Sequence, residues 1–192
     1  MVFPVSLKIF CVYMKKIGLL SDTHGYLDYD VLDFLEPVDE VWHAGDIGDT
    51  NVLDELKLIA PVRAVWGNMD DWDVRDITSE SLVFHCEEHK VAMMHIAEKR
   101  FYNSYEGELY PRTGTHLYYT DKATEIILRE KPTIFIGGHS HLLKIMNDPQ
   151  NQLLFINPGS AARYGHHQRL TFLRFNIVGK KISDLEIYDE PR

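Results

Sequence analysis

Residues 16–25 have the sequence KIGLLSDTHG, in which a short apolar run leads directly into Asp22 and His24. The apolar run predicts a buried strand, and Gly25 permits a sharp turn after it. Four later stretches repeat the arrangement: 40–43 before Gly45-Asp46, 62–66 before Gly67-Asn68-Met69-Asp70, 90–95 ending at His95, and 133–136 before Gly138-His139-Ser140-His141. Ligand sites in open α/β sheets form at the carboxyl edge of the strands, so we expect these polar side chains to meet there.

Helical patterns lie between the predicted strands. Apolar residues recur at helical spacing in three stretches, each closed by a proline: 27–35 before Pro37, 52–59 before Pro61, and 119–126 before Pro132. The first half therefore predicts a β-α-β-α-β order. The second half adds strands near 82–86, 142–146, 153–156, 168–176 and 182–188, and predicts mostly antiparallel pairing with one helix. This alternation indicates an α/β protein.

The composition limits the class of protein. The 192 residues suit one domain, and 45% apolar residues suit a packed core. Lys and Arg number 20 against 29 Asp and Glu, and the formal charge of −9 argues against general binding to nucleic acid or to anionic membranes. The two cysteines, Cys11 and Cys86, exclude a disulfide framework and a CxxC metal site.

The amino-terminal segment, residues 1–13, is apolar, but lysines at 8, 15 and 16 interrupt the run that it begins. No uninterrupted apolar run reaches the roughly 20 residues of a membrane span, and no secretory cleavage pattern follows. We therefore interpret residues 1–13 as an extension and residues 14–192 as a single domain. The cytoplasm is the expected location, with no membrane partner.

Seven side chains at the predicted strand ends offer only oxygen and imidazole nitrogen as donor atoms: Asp22, His24, Asp46, Asn68, His95, His139 and His141. Such donors suit Mn²⁺, Fe, Zn²⁺, Ni²⁺ and Co²⁺ without selecting among them. The set is too large for one tetrahedral zinc and fits two ions that share a carboxylate. Two ions about 3.5–4 Å apart are suited to phosphoryl displacement, because together they contact the attacking and leaving oxygens.

These motifs, in this order, resemble the calcineurin-like metallophosphoesterases, and most closely their small single-domain bacterial and archaeal phosphodiesterases. The Asn157-Pro158-Gly159-Ser160 segment is also similar to that subgroup. The resemblance implies a four-layer α/β/β/α sandwich with two mixed β-sheets. It also implies two divalent metal ions, with manganese preferred and Ni, Fe, Zn or Co as alternatives.

The resemblance assigns one metal to Asp22, His24, Asp46 and His141, and the other to Asp46, Asn68, His95 and His139. Asp46 would bridge the two ions. The family mechanism places a hydroxide between the ions, which attacks phosphorus while the ions and the Asn68 amide stabilise the growing negative charge. The implied activity is hydrolysis of a small phosphoester, a phosphodiester in preference to a monoester. The acidic surface favours small substrates over long polyanions.

One position departs from the family pattern. Many members carry a His directly after the Asn, where it protonates the leaving group, but this chain has Met69 there. Asn68 and Asp70 are therefore the candidate catalytic side chains, and we expect a preference for phosphoesters with acidic leaving groups or proton donation by solvent. A second departure is Ile96, which follows His95 where a Gly is common.

Several assignments stay open at this point. Residues 97–114 form either a packed surface loop or a cap, and Arg100 and Arg112 in that segment, like Arg163, are candidate substrate-binding residues. His43 either packs in the core or hydrogen-bonds a ligand carboxylate. The acidic stretch 70–76 is interpreted as a solvated loop in which Asp70 caps a turn.

Alternative functions also stay open. The chain could be a non-catalytic protein-binding scaffold of the same fold, although that class is expected to lack a metal ligand, and all seven are present. It could instead be a protein or dinucleotide polyphosphate phosphatase of the superfamily, but Met69 and the short chain argue against this. A homodimer is left open.

Overall fold

The computed structural model describes residues 14–99, 117–163 and 168–192. The first half contains β1 (Lys15–Leu20), α1 (Tyr29–Leu35), β2 (Glu40–His43), α2 (Thr50–Ile59), β3 (Val62–Ala64) and α3 (Trp72–Ile77). The second half contains β4 (Ser81–Cys86), β5 (His89–Met94), α4 (Asp121–Glu130), β6 (Ile134–Ile136), β7 (Leu143–Asp148), β8 (Leu153–Pro158), β9 (Arg169–Val178) and β10 (Lys181–Pro191).

The strands form two five-stranded mixed sheets. The order is β10-β9-β1-β2-β3 in the first and β4-β5-β6-β8-β7 in the second. Strands β1, β2 and β3 run parallel, so their carboxyl ends share one edge. The predicted antiparallel pairing holds for β4–β5, β7–β8 and β9–β10, but the middle of the second sheet, β5-β6-β8, is parallel. The second sheet therefore also gathers three carboxyl ends at one edge.

Three apolar cores separate four layers, which confirms the predicted α/β/β/α sandwich. Val31 and Leu35 of α1 and Leu56 of α2 pack over the outer face of the first sheet. A second core contains residues from both sheets, including the fully buried Leu19 and Met93. The third core includes Ile126 and Ile127 of α4 and Phe135 of β6. Burial of such large apolar side chains is the main favourable contribution to folding.

Side-chain caps start the helices. The carboxylates of Asp28, Asp49 and Asp71 accept hydrogen bonds from backbone N–H groups in the first turns of α1, α2 and α3. The helix α3 was not predicted, and the interpretation of 70–76 as a solvated loop is wrong from residue 72 onward. This helix has six residues and one buried apolar side chain, Val74, so its sequence carries too little periodicity to reveal it.

The predicted extension at 1–13 lies outside the described residues, as do positions 100–114 of the predicted cap. The residues that flank positions 100–116 contact each other. Glu98 pairs with Tyr119 as an isolated bridge, and Lys99 N donates to Tyr118 O at 2.7 Å. None of the helices in the described part of the chain is long and apolar enough to cross a membrane.

Candidate metal centre

The carboxyl edges of the two sheets meet through direct hydrogen bonds. His139, in the loop after β6, donates its N–H to Asp22 Oδ2, in the loop after β1, at 3.1 Å. The ring of His95, after β5, hydrogen-bonds Ala44 O, after β2, through Nδ1 at 2.8 Å. Gly138 N donates to His95 O at 2.9 Å. Residues more than a hundred positions apart are thus fixed at one place.

Six of the seven predicted ligands form two groups. Asp22, His24 and His141 make one, and Asp46, His95 and His139 make the other. Within each group, one donor atom of every side chain lies within 4.8 Å of the others. Each group supplies one carboxylate and two imidazoles, a donor set suited to a divalent transition-metal ion. The sequence resemblance assigns Asp22, His24 and His141 to one ion and His95 and His139 to the other, with Asp46 shared between both.

Two buried polar atoms in these groups lack a hydrogen-bond partner among the described residues: Asp22 Oδ1 and His95 Nε2. Asp22 Oδ1 lies 3.0 Å from His141 Nε2 and 3.8 Å from His95 Nε2, so it faces a histidine of each group. His95 Nε2 also lies within ion-pair distance of Asp46 Oδ2, at 3.1 Å. An unpaired buried polar atom costs about 1–3 kcal/mol. A bound cation would remove that cost, so these residues fit a metal.

The electrostatic balance inside the site points the same way. Burial alone would raise the pKa of Asp46, but the His95 ring and the Met69 N–H lower it below its ordinary value. Burial alone would lower the pKa of His95, but the Asp46 and Asp22 carboxylates raise it. The carboxylate of Asp46 and the imidazole of His95 therefore each favour the charged form of the other when no cation is bound.

Five of the six clustered ligands have left-handed backbone conformations. The φ angles are 56° at Asp22, 51° at His24, 51° at Asp46, 65° at His139 and 58° at His141. Such conformations cost free energy in residues other than glycine, on the order of 1 kcal/mol or more, and they concentrate at functional sites. The loops after β1, β2 and β6 are therefore held in a strained form that brings the ligands together.

Glycines allow the strand ends to approach closely. A Cβ at Gly67 would lie 2.7 Å from His95 Cδ2 and 2.5 Å from the Asp46 amide nitrogen. A Cβ at Gly138 would lie 2.8 Å from both Ala44 O and His95 Nδ1. No side chain fits at either position without displacing a ligand or the backbone beside it.

The residues after β3 differ from one another in exposure and in hydrogen bonding. Asn68 and Met69 are exposed, and the Met69 N–H donates to Asp46 Oδ1 at 2.8 Å. Asp70 is buried, and its two oxygens accept from Gly48 N at 2.6 Å and from Gly67 N at 2.7 Å. Both oxygens of Asp70 thus join the loops after β2 and β3, and a role as proton donor would require these contacts to break.

The Asn157–Ser160 segment supports both ligand loops. The Asn157 amide donates to Gly138 O at 2.7 Å and to Ser140 Oγ at 3.0 Å. The Ser160 hydroxyl donates to Asp22 O at 3.1 Å. These contacts depend on the parallel pairing of β8 with β6.

Of the three predicted substrate-binding arginines, Arg163 lies among the described residues. Arg100 and Arg112 lie outside the described residues. Arg163 forms an ion pair with Asp28 and reaches Asp30 Oδ2 at 3.0 Å, at the start of α1. The Arg163 guanidinium lowers the pKa of Asp28 to about 2.

An arginine that the sequence did not single out, Arg192, interacts electrostatically with the candidate ligand Asp22. Arg192 N donates to Gln168 O at 3.0 Å, next to the pairing of Pro191 with Arg169. The antiparallel pairing of β9 with β1 puts this end of β9 beside the carboxyl end of β1. Burial lowers the pKa of the Arg192 guanidinium, and the Asp22 carboxylate opposes that effect.

Comparison with known proteins agrees with this geometry. A family model described as the calcineurin-like phosphoesterase superfamily domain matches residues 14–180. A probable metallophosphoesterase of Methanothermobacter thermautotrophicus is 30% identical over 152 residues, covering 75% of this chain and 76% of the relative. Another, from Methanocaldococcus jannaschii, is 32% identical over 150 residues, covering 75% of this chain and 67% of the relative.

The fold is also found among solved structures. Vacuolar Protein Sorting 29 from Cryptosporidium parvum superposes with a TM-score of 0.67 at 18% identity, covering 94% of this chain and 100% of the other. At this identity the likeness concerns the fold alone.

Proposed function

This chain belongs to the calcineurin-like phosphoesterase superfamily, and we propose from that premise that it hydrolyses a small phosphoester with the aid of two divalent metal ions. The observation that carries the proposal is the pair of ligand groups at the meeting edge of the two sheets, each with one carboxylate and two imidazoles. Asp22 Oδ1 faces a histidine of each group, which supports two ion sites that adjoin each other over two sites that are far apart.

The proposed ligands of one ion are Asp22, His24 and His141, and those of the other are Asp46, His95 and His139. Asp46 as the bridging carboxylate and Asn68 as a further ligand remain part of the proposal. When bound, such ions supply Lewis acidity that activates water and stabilises charge on the phosphoryl group. Manganese is the proposed occupant because the family resemblance implies it, and the oxygen and nitrogen donors suit it without excluding Ni, Fe, Zn or Co.

The side chains of residues 68–70 determine which leaving group the proposed reaction favours. We assign to Asn68 the role of orienting a phosphoryl oxygen through its amide, because it is exposed and precedes Met69, whose N–H donates to Asp46. Met69 has no proton to give, and Asp70 is occupied with two backbone N–H groups. A leaving group that needs no proton is therefore favoured, which supports a phosphodiester with an acidic alcohol or phenol.

A guanidinium near the ligands supports binding of an anion. Arg163 is committed to Asp28 and Asp30, whereas the charge of Arg192 interacts with Asp22. Arginine binds phosphate oxygens in a fork geometry that lysine does not reproduce. We therefore place Arg192 among the proposed substrate-binding residues, alongside Arg100 and Arg112.

A non-catalytic scaffold is the second candidate function, because the same fold occurs in Vacuolar Protein Sorting 29. The two candidates differ in one measurable property, which is turnover in the presence of metal. The protein is stripped with a chelator, reloaded with Mn²⁺, Ni²⁺, Zn²⁺ or Mg²⁺, and assayed on an activated aryl phosphodiester and on the matching aryl monoester. We expect turnover with Mn²⁺ and a higher kcat/KM for the diester.

A matched pair of variants assigns the turnover to the site. Asp46→Asn is expected to abolish hydrolysis, because it removes the charge that both the neighbouring histidine and a cation require. Asp54→Asn, at an exposed carboxylate paired with Lys57 on α2, is the control and should leave turnover unchanged. Absence of turnover with every metal would overturn the catalytic proposal in favour of the scaffold.

A further inference from the structure

A buried chain of hydrogen bonds runs between the loops that carry Asp22 and Asp46. Gly45 N lies 3.2 Å from His43 Nδ1, His43 Nε2 lies 2.9 Å from Thr23 Oγ1, and Thr23 Oγ1 lies 2.9 Å from Ile47 O. Both side chains, His43 and Thr23, are fully buried. Neither has a role in the site described above.

The partners fix where the protons lie. The Gly45 N–H donates to Nδ1 of His43, so the single ring proton is on Nε2 and is donated to the Thr23 hydroxyl. Because Ile47 O can only accept, the Thr23 hydroxyl must donate its own hydrogen there. The imidazole is therefore neutral, and burial lowers the pKa of His43 to about 3, which agrees with that state.

The chain of hydrogen bonds reaches both strained loops. Thr23 lies between the ligands Asp22 and His24, while Gly45 and Ile47 flank the ligand Asp46. Backbone contacts connect the same two loops: Asp22 N donates to Gly45 O at 2.9 Å, and His24 N donates to Asp46 O at 3.1 Å. The side chains of His43 and Thr23 thus connect the same two loops that these backbone hydrogen bonds connect, and both loops carry candidate ligands.

We propose that His43 and Thr23 are positioning residues that keep the Asp22–His24 and Asp46 loops in their metal-binding conformation. This rests on the proposed function only in assuming that these loops bind metal. Removal of the Thr23 hydroxyl would leave the His43 N–H buried without a partner and would leave Ile47 O with only its contact to Gly25 N, which favours a shift of one loop against the other. Loss of such supporting contacts typically weakens metal affinity by about 10- to 100-fold.

The test compares Thr23→Val with Thr23→Ser. Valine keeps the shape and removes the hydroxyl, whereas serine keeps the hydroxyl. Mn²⁺ affinity of the chelator-stripped full chain is measured by isothermal titration calorimetry, and folding is checked by thermal unfolding of the metal-free protein. We expect Thr23→Val to lose at least about 10-fold in affinity and Thr23→Ser to restore most of it.

The chain offers a matched control. Thr133 forms the same kind of contact, 2.9 Å from His89 Nδ1, but at the amino-terminal ends of β5 and β6, away from the ligands. Thr133→Val should therefore bind Mn²⁺ with wild-type affinity. Wild-type affinity in Thr23→Val, or an equal loss in Thr23→Ser and Thr133→Val, would overturn the proposal.

A measurement on the unaltered protein keeps the proposal testable if Thr23→Val does not fold. Long-range ¹H–¹⁵N spectra of the imidazoles report the tautomer of each histidine, and we expect the Nε2–H form for His43 at neutral pH. An Nδ1–H form or a charged ring would overturn the proposal. Hydrolysis is assayed separately, so a protein that binds Mn²⁺ in this way but hydrolyses no phosphoester loses the proposed function and keeps this inference.

Discussion

The backbone N–H of His139 donates to Asp22 Oδ2 at 3.1 Å, while the other oxygen of that carboxylate, Oδ1, stays buried without a hydrogen bond among the described residues. One carboxylate therefore has two functions that lie on different atoms. Oδ2 fastens the loop of the second sheet to the loop of the first. Oδ1 faces His141 and His95 and is available to a cation.

This division predicts the effect of Asp22→Asn on stability. Asparagine retains an oxygen that can accept from His139 N but loses the charge of the unpaired oxygen. We expect the metal-free variant to unfold at or above the wild-type temperature, because a costly buried charge is gone. We expect it to lose the stabilisation by Mn²⁺, which for the wild type reaches about 2.7 kcal/mol at a concentration 100 times the Kd.

Thermal unfolding with and without Mn²⁺ measures both effects, and Asp54→Asn serves as the control. A wild-type shift on metal addition in Asp22→Asn would contradict the assignment of Asp22 as a ligand. A large loss of stability in the metal-free variant would show instead that the charge itself contributes to folding.

The ion pair between Arg163 and Asp28 predicts a pH dependence of stability. Because Arg163 lowers the folded-state pKa of Asp28 to about 2 from its ordinary value of 3.8, the pair stabilises the fold above pH 3.8. That stability is lost as the pH falls toward 2. Since Arg163 is half-exposed, screening by solvent keeps this contribution small.

Asp28→Asn isolates this charge, because asparagine caps a helix as well as aspartate does and α1 keeps its start. Urea unfolding at pH 6 should give a lower free energy of unfolding for the variant. At pH 2 to 2.5 most of the difference should disappear. A difference that stays constant over this range would assign the effect to packing and not to the ion pair.

The position of Arg192 predicts a selective loss of anion binding. Inorganic phosphate, a product of monoester hydrolysis and a general phosphoryl mimic, should inhibit the Mn²⁺-loaded protein competitively. Arg192→Gln should weaken that inhibition by about 10-fold, as expected for a lost hydrogen bond to a charged group. Arg169→Gln is the control, because Arg169 lies on the neighbouring strand in an exposed ion pair with Asp189. Equal inhibition constants in the two variants would remove Arg192 from the site.

Local sequence patterns were sufficient to predict which side chains gather at the candidate site, because each follows a short apolar run and the carboxyl ends of parallel strands meet by geometry. Six of the seven side chains, all except Asn68, come together as two groups. The strained backbone of the ligands could not be predicted, since Asp22 and His139 carry no local signal for a positive φ. It is imposed by contacts between loops that are distant in sequence.

The errors have the same origin. Pairing of β6 with β8 skips the intervening β7, so the parallel centre of the second sheet is invisible to a reading of neighbouring segments. Arg163 lies 135 positions from its partner Asp28. The helix α3 has one buried apolar residue, and its existence depends on the Asp71 cap and on packing against the first sheet.

Met69 predicts how the rate depends on the leaving group. Its side chain is exposed directly after Asn68 and cannot donate a proton, so the departing oxygen must carry its negative charge away or take a proton from solvent. Across a series of aryl phosphodiesters, log kcat should fall steeply as the pKa of the leaving phenol rises. Met69→His places an ionisable imidazole at this position, which should raise the rates of the poorest leaving groups by about 10²-fold and flatten the plot.

Met69→Leu is the matched control, since it keeps an apolar side chain of similar size at the same exposed position. Its plot should have the wild-type slope. A solvent viscosity series establishes that chemistry, and not product release, limits kcat in the wild type. With that established, a flat wild-type plot would mean that another group of the protein supplies the proton, and Asp70, freed from Gly48 and Gly67, would be the first to examine.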